Sequence, residues 1–189
     1  MATAKKPAKA AVAKEALSTG KPSPELKSRM GIELRKQLLA LLDGGQAHAT
    51  FDDAVKGFPP KLQGEVPDGL PYSGWQLLEH LRIAQRDILD FSRNQDGSYK
   101  PMKWPDDYWP KDREPASAAA WNKTVVQIRE DRKAFEQLLR EASDEELIAA
   151  FPWGDGQNLL REAFLIADHN AYHVGELVML RRLMGAWKG

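Results

Sequence analysis

An all-α fold, a bundle of four long helices, is the fold class this sequence predicts. Apolar residues recur at spacings of three and four along four long stretches, as they do on a helix with one buried face. No segment sustains the alternation of period two that a half-buried strand requires, and there is no internal repeat. Helix-starting signals, including Ser-x-x-Gln and Ser-x-x-Glu boxes, sit where those stretches begin.

The elements follow in order. Residues 1–22 are rich in Ala and Lys. Lysines 5, 6, 9, 14 and 21 against Glu15 leave a net charge of +4, the composition of a flexible tail, so the folded domain is expected over residues 23–189. Ser23-Pro24 reads as an N-cap followed by an N1 proline. Met30, Leu34, Leu38 and Leu41 continue at helical spacing until Gly44-Gly45 stops the helix. Thr50 with Asp53 opens a short helix that ends near Gly57 and Pro59-Pro60. After a turn-rich stretch, Ser73 and Gln76 form a capping box for the second long helix. Its stripe is Leu77, Leu81, Ala84 and Ile88, and it runs to the vicinity of Arg93.

The Pro- and Trp-rich connection that follows, "GSYKPMKWPDDYWPKDREP", is too long for a simple loop between antiparallel neighbours. The second and third long helices are therefore expected to run parallel, joined by a crossover. Ser117 leads the third, with Trp121, Val125, Ile128, Phe135 and Leu139 on one face. "SDEE" at 143–146 is a further capping box, before a brief helical turn. The last long helix spans Gln157 to Met184, with Gly185 just past its end.

Composition narrows the function. The chain has 27 basic and 27 acidic residues, so it lacks the basic footprint of a nucleic-acid binder. It has no cysteine, which rules out a disulfide framework, a thiolate metal site and a cysteine nucleophile. No apolar run approaches the roughly 20 residues of a membrane span, and no secretory leader with an apolar core is visible. The expected location is the cytoplasm.

The four histidines carry the chemistry. In "DHNAYHVGEL" His169 and His173 are four residues apart, on one face with Ile166, Leu177 and Leu180 and flanked by Glu162 and Glu176. His80 sits three residues after Leu77 and four before Ala84, also on an inward face. Three imidazoles from two helices thus point into one bundle. Imidazole is the commonest metal ligand, and three protein ligands leave an open position for water or substrate. Zinc, nickel and iron all suit such a donor set. The competing reading is a set of core histidines satisfied by hydrogen bonds. Asn170 stands where an H-E-x-x-H metalloprotease carries its base, which disfavours that scheme. Glu176, one turn after His173, is the candidate acid/base; the alternative for Glu176 and Glu162 is to orient a ligand or to pair with an arginine such as Arg82.

Trp75 with the following "LLEHLRIAQRDIL", together with "LLREAFLIADHNAYHVGELVMLRRLMGAW" on the last helix, resembles the DinB/YfiT-like superfamily of four-helix metalloproteins over roughly residues 25–185. The resemblance implies an up-down-down-up bundle, agreeing with the crossover. It implies one divalent metal, zinc or nickel foremost, on His80, His169 and His173, and a homodimer. It also implies a small-molecule substrate, as in relatives that are thiol-dependent S-transferases or a maleylpyruvate isomerase, so a low-molecular-weight thiol is an expected partner. His48, Trp75 and Trp109 are the candidate substrate-binding residues, Trp109 as part of a lid with Trp104 and Tyr108; the alternatives are a loop histidine hydrogen-bonded to backbone at His48 and aromatics that plug the bundle's open side. Transferase chemistry follows from the resemblance and hydrolysis from general metal chemistry. A non-catalytic metal- or ligand-binding bundle associated with stress is the alternative.

Overall fold

A computed structural model describes residues 24–188 of the 189-residue chain. The expected tail over 1–22 and the expected Ser23 cap lie outside the described residues. Six α-helices occur among the described residues, and no strand: α1 (Pro24–Asp43), α2 (Phe51–Val55), α3 (Gly74–Ser92), α4 (Ala118–Glu141), α5 (Asp144–Ile148) and α6 (Leu159–Leu183). The all-α expectation therefore holds, with α1, α3, α4 and α6 as the four long helices. Residues 24–33 and residues 34–188 belong to separate compact units. Of the first, residues 24–33 are the opening turns of α1; the second carries the remaining elements.

Local signals set most helix starts. Thr50 and Asp53, Ser73 and Gln76, and Ser143 and Glu146 each close a reciprocal capping box. Ser117 and Asn158 cap α4 and α6 through single side-chain acceptors, to Ala120 and Arg161. Gly185 ends α6 with φ 66, a left-handed conformation that glycine adopts without Cβ strain. Gly74 opens α3 because a Cβ there would lie 2.6 Å from the Phe58 ring.

The stripes read from the sequence are largely buried. Trp121, Val125, Ile128, Phe135 and Leu139 of α4 all face inward, as do Leu77, Leu81 and Ala84 of α3 and Ile166, Leu177 and Leu180 of α6. On α1 the stripe differs from expectation. Leu38 and Leu42 are buried, whereas Leu41 is 47% exposed and Met30 60% exposed. The buried positions keep a spacing of four, and Leu41 lies about 100° round the helix from Leu42. On α3, Leu89 rather than Ile88 is fully buried.

Polar bridges fix the pairing of the helices. Between α3 and α4, Glu79 accepts from the Thr124 hydroxyl, Gln85 donates to the Ile128 carbonyl at 2.7 Å, and Arg86 pairs with Asp131 at 3.0 Å. These contacts advance together along both helices, the register of a parallel pair. Between α3 and α6, His80 meets His169 while Gln85 meets Asn170, and Leu89 packs in one cluster with Ile166 and Leu159. Arg181 ties α6 to α2 by donating to the Asp53 and Ala54 carbonyls, which the short helix leaves without internal partners. Arg82, one of the arginines considered as a partner for Glu162 or Glu176, pairs with Glu79 at 2.8 Å. Glu162 is buried and pairs with its neighbour Arg161 at 2.6 Å. No described helix is long and apolar enough to cross a membrane.

Candidate metal centre

His80 comes from the middle of α3, and His169 and His173 from successive turns of α6. One ligand atom from each of the three rings lies within 4.8 Å of the other two. The Nε2 atoms of His80 and His169 are 3.0 Å apart. The ring centroids lie 4.4 to 4.9 Å from one another. His80 and His173 are 2% and 7% exposed.

Each nitrogen facing away from the centre reveals how its ring is held. His80 Nδ1 lies 2.9 Å from the Tyr108 carbonyl, which can only accept, so the proton is on Nδ1 and the lone pair on Nε2. His173 Nδ1 lies 2.7 Å from Glu176 Oε2, which accepts as a carboxylate, and this puts the His173 lone pair on Nε2. His169 Nδ1 is buried and has no hydrogen-bond partner. All three rings are held towards the neutral form. Burial lowers the pKa of His80, and burial together with the other two rings lowers that of His169 to about 4. Burial, then His80, brings His173 to about 4 as well. Burial raises the Glu176 carboxyl above its ordinary value, partly opposed by the Tyr172 hydroxyl and His80.

The crossover between α3 and α4 closes over His80. Trp109 stacks on the His80 ring at 3.9 Å with an interplanar angle of 1°, and Tyr72 covers the other face of Trp109 at 3.8 Å. A cavity of about 70 Å³ lined by Leu70, Pro71, Tyr72, Leu77, Met179 and Glu176 meets the centre through Glu176, the partner of His173; none of the three histidines lines it. Its walls come from the segment before α3, from Leu77 on α3 and from the turns after His173 on α6.

The model of the DinB superfamily matches residues 33–177, more than half of the chain. The chain belongs to the DinB superfamily. No curated protein and no solved structure matches it.

For this DinB-superfamily member the other residues singled out in the sequence fall in different places. Trp109 contacts the centre through the His80 stack. Trp104 is 68% exposed and meets Tyr108 edge-on. Trp75 faces α4, with its ring 6.4 Å from that of Trp121, and lines a surface cleft with Glu79, Arg82 and Thr124. His48 is exposed, lies against its own neighbour's carbonyl, and lines a separate cavity of about 40 Å³ with Gln85 and Asn170. None of the three clustered histidines lines that cavity. Asn170 donates to Gln85, so it serves the packing of α6 on α3.

Sequence reasoning missed the Tyr108 carbonyl and the Tyr72 ring. A backbone carbonyl carries no sequence signal, and Tyr72 reaches the site through its stack on Trp109 and the cavity it lines with Glu176, both contacts between residues distant in sequence.

The donor set fits a metal ion. Two rings present Nε2 lone pairs with their tautomers already set, and the third faces one of them at 3.0 Å. Without a cation, His169 either donates from Nε2 to His80 and leaves Nδ1 an unmatched acceptor, or carries its proton on Nδ1 and sets two Nε2 lone pairs face to face. A cation accepting three lone pairs removes the mismatch between the facing Nε2 atoms.

Proposed function

We propose that His80, His169 and His173 hold one divalent transition metal, zinc or nickel foremost and iron third, and that the protein is an enzyme acting on a small molecule. The convergence of three neutral imidazoles, with the Nδ1 atoms of His80 and His173 held by an acceptor, is the observation that carries this reading. When bound, such a metal supplies Lewis acidity and lowers the pKa of a thiol or water drawn from solution. The chain's own residues do the rest. Glu176 fixes the His173 tautomer. It also lines the 70 Å³ cavity, where burial raises its carboxyl above the ordinary value, so it can exchange a proton with the reacting group. Leu70, Leu77 and Met179 exclude water from the apolar part of a substrate, and Trp109 keeps His80 covered.

Thiol-dependent transfer is the preferred chemistry and hydrolysis the second. The chain has no cysteine, so the thiol comes with the cosubstrate. His48 and Trp75 stand apart from the histidines and receive no role at the metal. The registers of α1 on α4, of α4 with α3 and of α3 on α6 support an up-down-down-up bundle: Arg35 reaches Leu139 and Ala142 while Arg132 reaches Asp43, so α1 and α4 oppose. A tail over 1–22, a cytoplasmic location and a homodimer complete the proposal. Phe164, Tyr172, Met179 and Leu183, left 47% to 64% exposed on α6, support self-association.

A binding role without catalysis is favoured by one observation, the near-complete burial of His80 beneath Trp109. The deciding experiment is metal content of the purified protein beside His173→Ala. About one equivalent of a transition metal, lost in the variant, is expected. A wild type that holds none and takes up none from added zinc or nickel ends the metal reading. Turnover of small electrophiles that depends on both metal and thiol separates enzyme from binding protein.

A further inference from the structure

His80 is the only one of the three histidines whose outward nitrogen is held by the crossover, and the crossover is itself tied down at one point. Asp87 lies seven residues after His80, two turns along the same face of α3. Its Oδ1 accepts from the Tyr99 hydroxyl at 3.0 Å and its Oδ2 from the Tyr108 hydroxyl at 2.6 Å. Both tyrosines belong to the crossover, and both phenols are held protonated: burial, then Asp87, pushes Tyr99 up to about 12 and Tyr108 higher still. The neighbouring arginines pair elsewhere, Arg86 with Asp90 and Asp131 and Arg82 with Glu79. Both Asp87 oxygens thus serve the crossover. Tyr108 is held at both ends: its hydroxyl by Asp87, its carbonyl by His80 Nδ1 at 2.9 Å.

We propose that Asp87 is a positioning residue for the metal centre: by gripping Tyr108 it sets the carbonyl that keeps His80 in the Nδ1–H tautomer, with Nε2 turned to His169. This rests on the reading of the three histidines as a metal site, and it assigns a second duty to the crossover. The next residue, Trp109, is the ring stacked on His80, so one anchor controls both the hydrogen bond and the stack. Tyr99 shares the carboxylate but sits nine residues before Tyr108, so it anchors the loop without touching His80.

The test uses Asp87→Asn, Tyr108→Phe and Tyr99→Phe in the full chain, with folding checked by circular dichroism. Two readouts apply: the His80 tautomer in metal-free protein by ¹⁵N NMR, and the affinity for Co²⁺ followed by its absorption spectrum. Wild type is expected to show one His80 tautomer, protonated at Nδ1. Asp87→Asn and Tyr108→Phe are expected to show mixed tautomers and Co²⁺ binding weaker by about tenfold, the effect of displacing the carbonyl that orients a metal-bound histidine. Tyr99→Phe is expected to keep the wild-type tautomer and an affinity within about threefold of wild type, well below that effect. An unchanged His80 tautomer in both folded variants overturns the inference. So does a Tyr99→Phe defect equal to that of Tyr108→Phe, which would make Asp87 a general loop anchor. If wild type binds no Co²⁺, the metal reading fails, and the NMR comparison still decides what Asp87 does to His80.

Discussion

The same three long helices, α3, α4 and α6, build two cores of different chemistry. In one, Leu38 and Leu42 of α1 meet Leu89, Phe135, Leu139, Leu147, Leu159, Ala163 and Ile166, all hydrocarbon. In the other, Leu77, Leu81, Trp121, Val125, Val174 and Leu177 surround a level where the inward positions of α3 and α6 are His80, His169 and His173. On α6 the change takes less than one turn, from Ile166 at 1% exposure to His169. The first core owes its stability chiefly to apolar burial, and the charged groups buried along its helices, Glu162 and Asp131, pair with Arg161 and Arg86. The second gives up hydrocarbon for imidazoles, and recovers the cost through a carbonyl, a carboxylate and stacked aromatic rings. One helix therefore serves stability in its first half and chemistry in its second.

The largest effects should separate the two cores. Phe135→Ala removes a ring that is fully buried and should cost about 3–5 kcal/mol in urea denaturation with chelator present. It should leave the metal content of the folded fraction intact. His169→Leu should do the reverse. It should lose the metal by elemental analysis yet keep metal-free stability within about 1.5 kcal/mol of wild type, because removing the unmatched Nδ1 offsets the loss of the Nε2 contact with His80. If Phe135→Ala loses the metal as His169→Leu does, the two cores are one unit.

Acid should act on the histidine core first. The folded-state pKa values of His169 and His173 are lowered from 6.5 to about 4. Their share of stability is then complete above pH 6.5 and is lost as pH falls from 6.5 towards 4, where the unfolded chain binds more protons. Glu176 works in the opposite sense. Its raised pKa gives a contribution that is full below the ordinary carboxyl value of 4.5 and shrinks as pH rises through its folded value. Denaturation midpoints of metal-free protein at a series of pH values should fall across the histidine window. His169→Leu should flatten that slope; an unchanged slope in the variant would show that the titration belongs to other groups.

Glu176→Gln should weaken metal binding about tenfold, because an amide accepts from His173 Nδ1 less strongly than a carboxylate. Competition with a coloured chelator measures it, and an unchanged affinity would remove Glu176 from the positioning of His173. The smallest effect is expected at His48→Ala, within about 0.5 kcal/mol in stability and with no change in metal content, since the ring is exposed and bonds to its own neighbour. A loss of metal there would extend the centre beyond the three histidines.

The sequence alone determined what depends on neighbours a few residues apart. The boxes at Thr50, Ser73 and Ser143 were legible because donor and acceptor lie within four residues. The pairing of His169 with His173, and the inward direction of His80 between Leu77 and Ala84, followed from helical spacing alone. The stripe of α1 was only half legible, because an apolar face is wide enough to accept either Leu41 or Leu42, and the packing partner chooses between them. Tertiary structure alone decided that the Tyr108 carbonyl holds His80, that Trp109 lies between Tyr72 and His80, and that Trp75 and His48 stand elsewhere. Every residue has the same carbonyl, and the path of residues 93–117 depends on contacts distant in sequence, Asp87 with Tyr99 and Tyr108 among them. Short-range hydrogen bonds and periodicity are written into the order of residues; which backbone atom a crossover brings to a histidine is settled only when the loop closes.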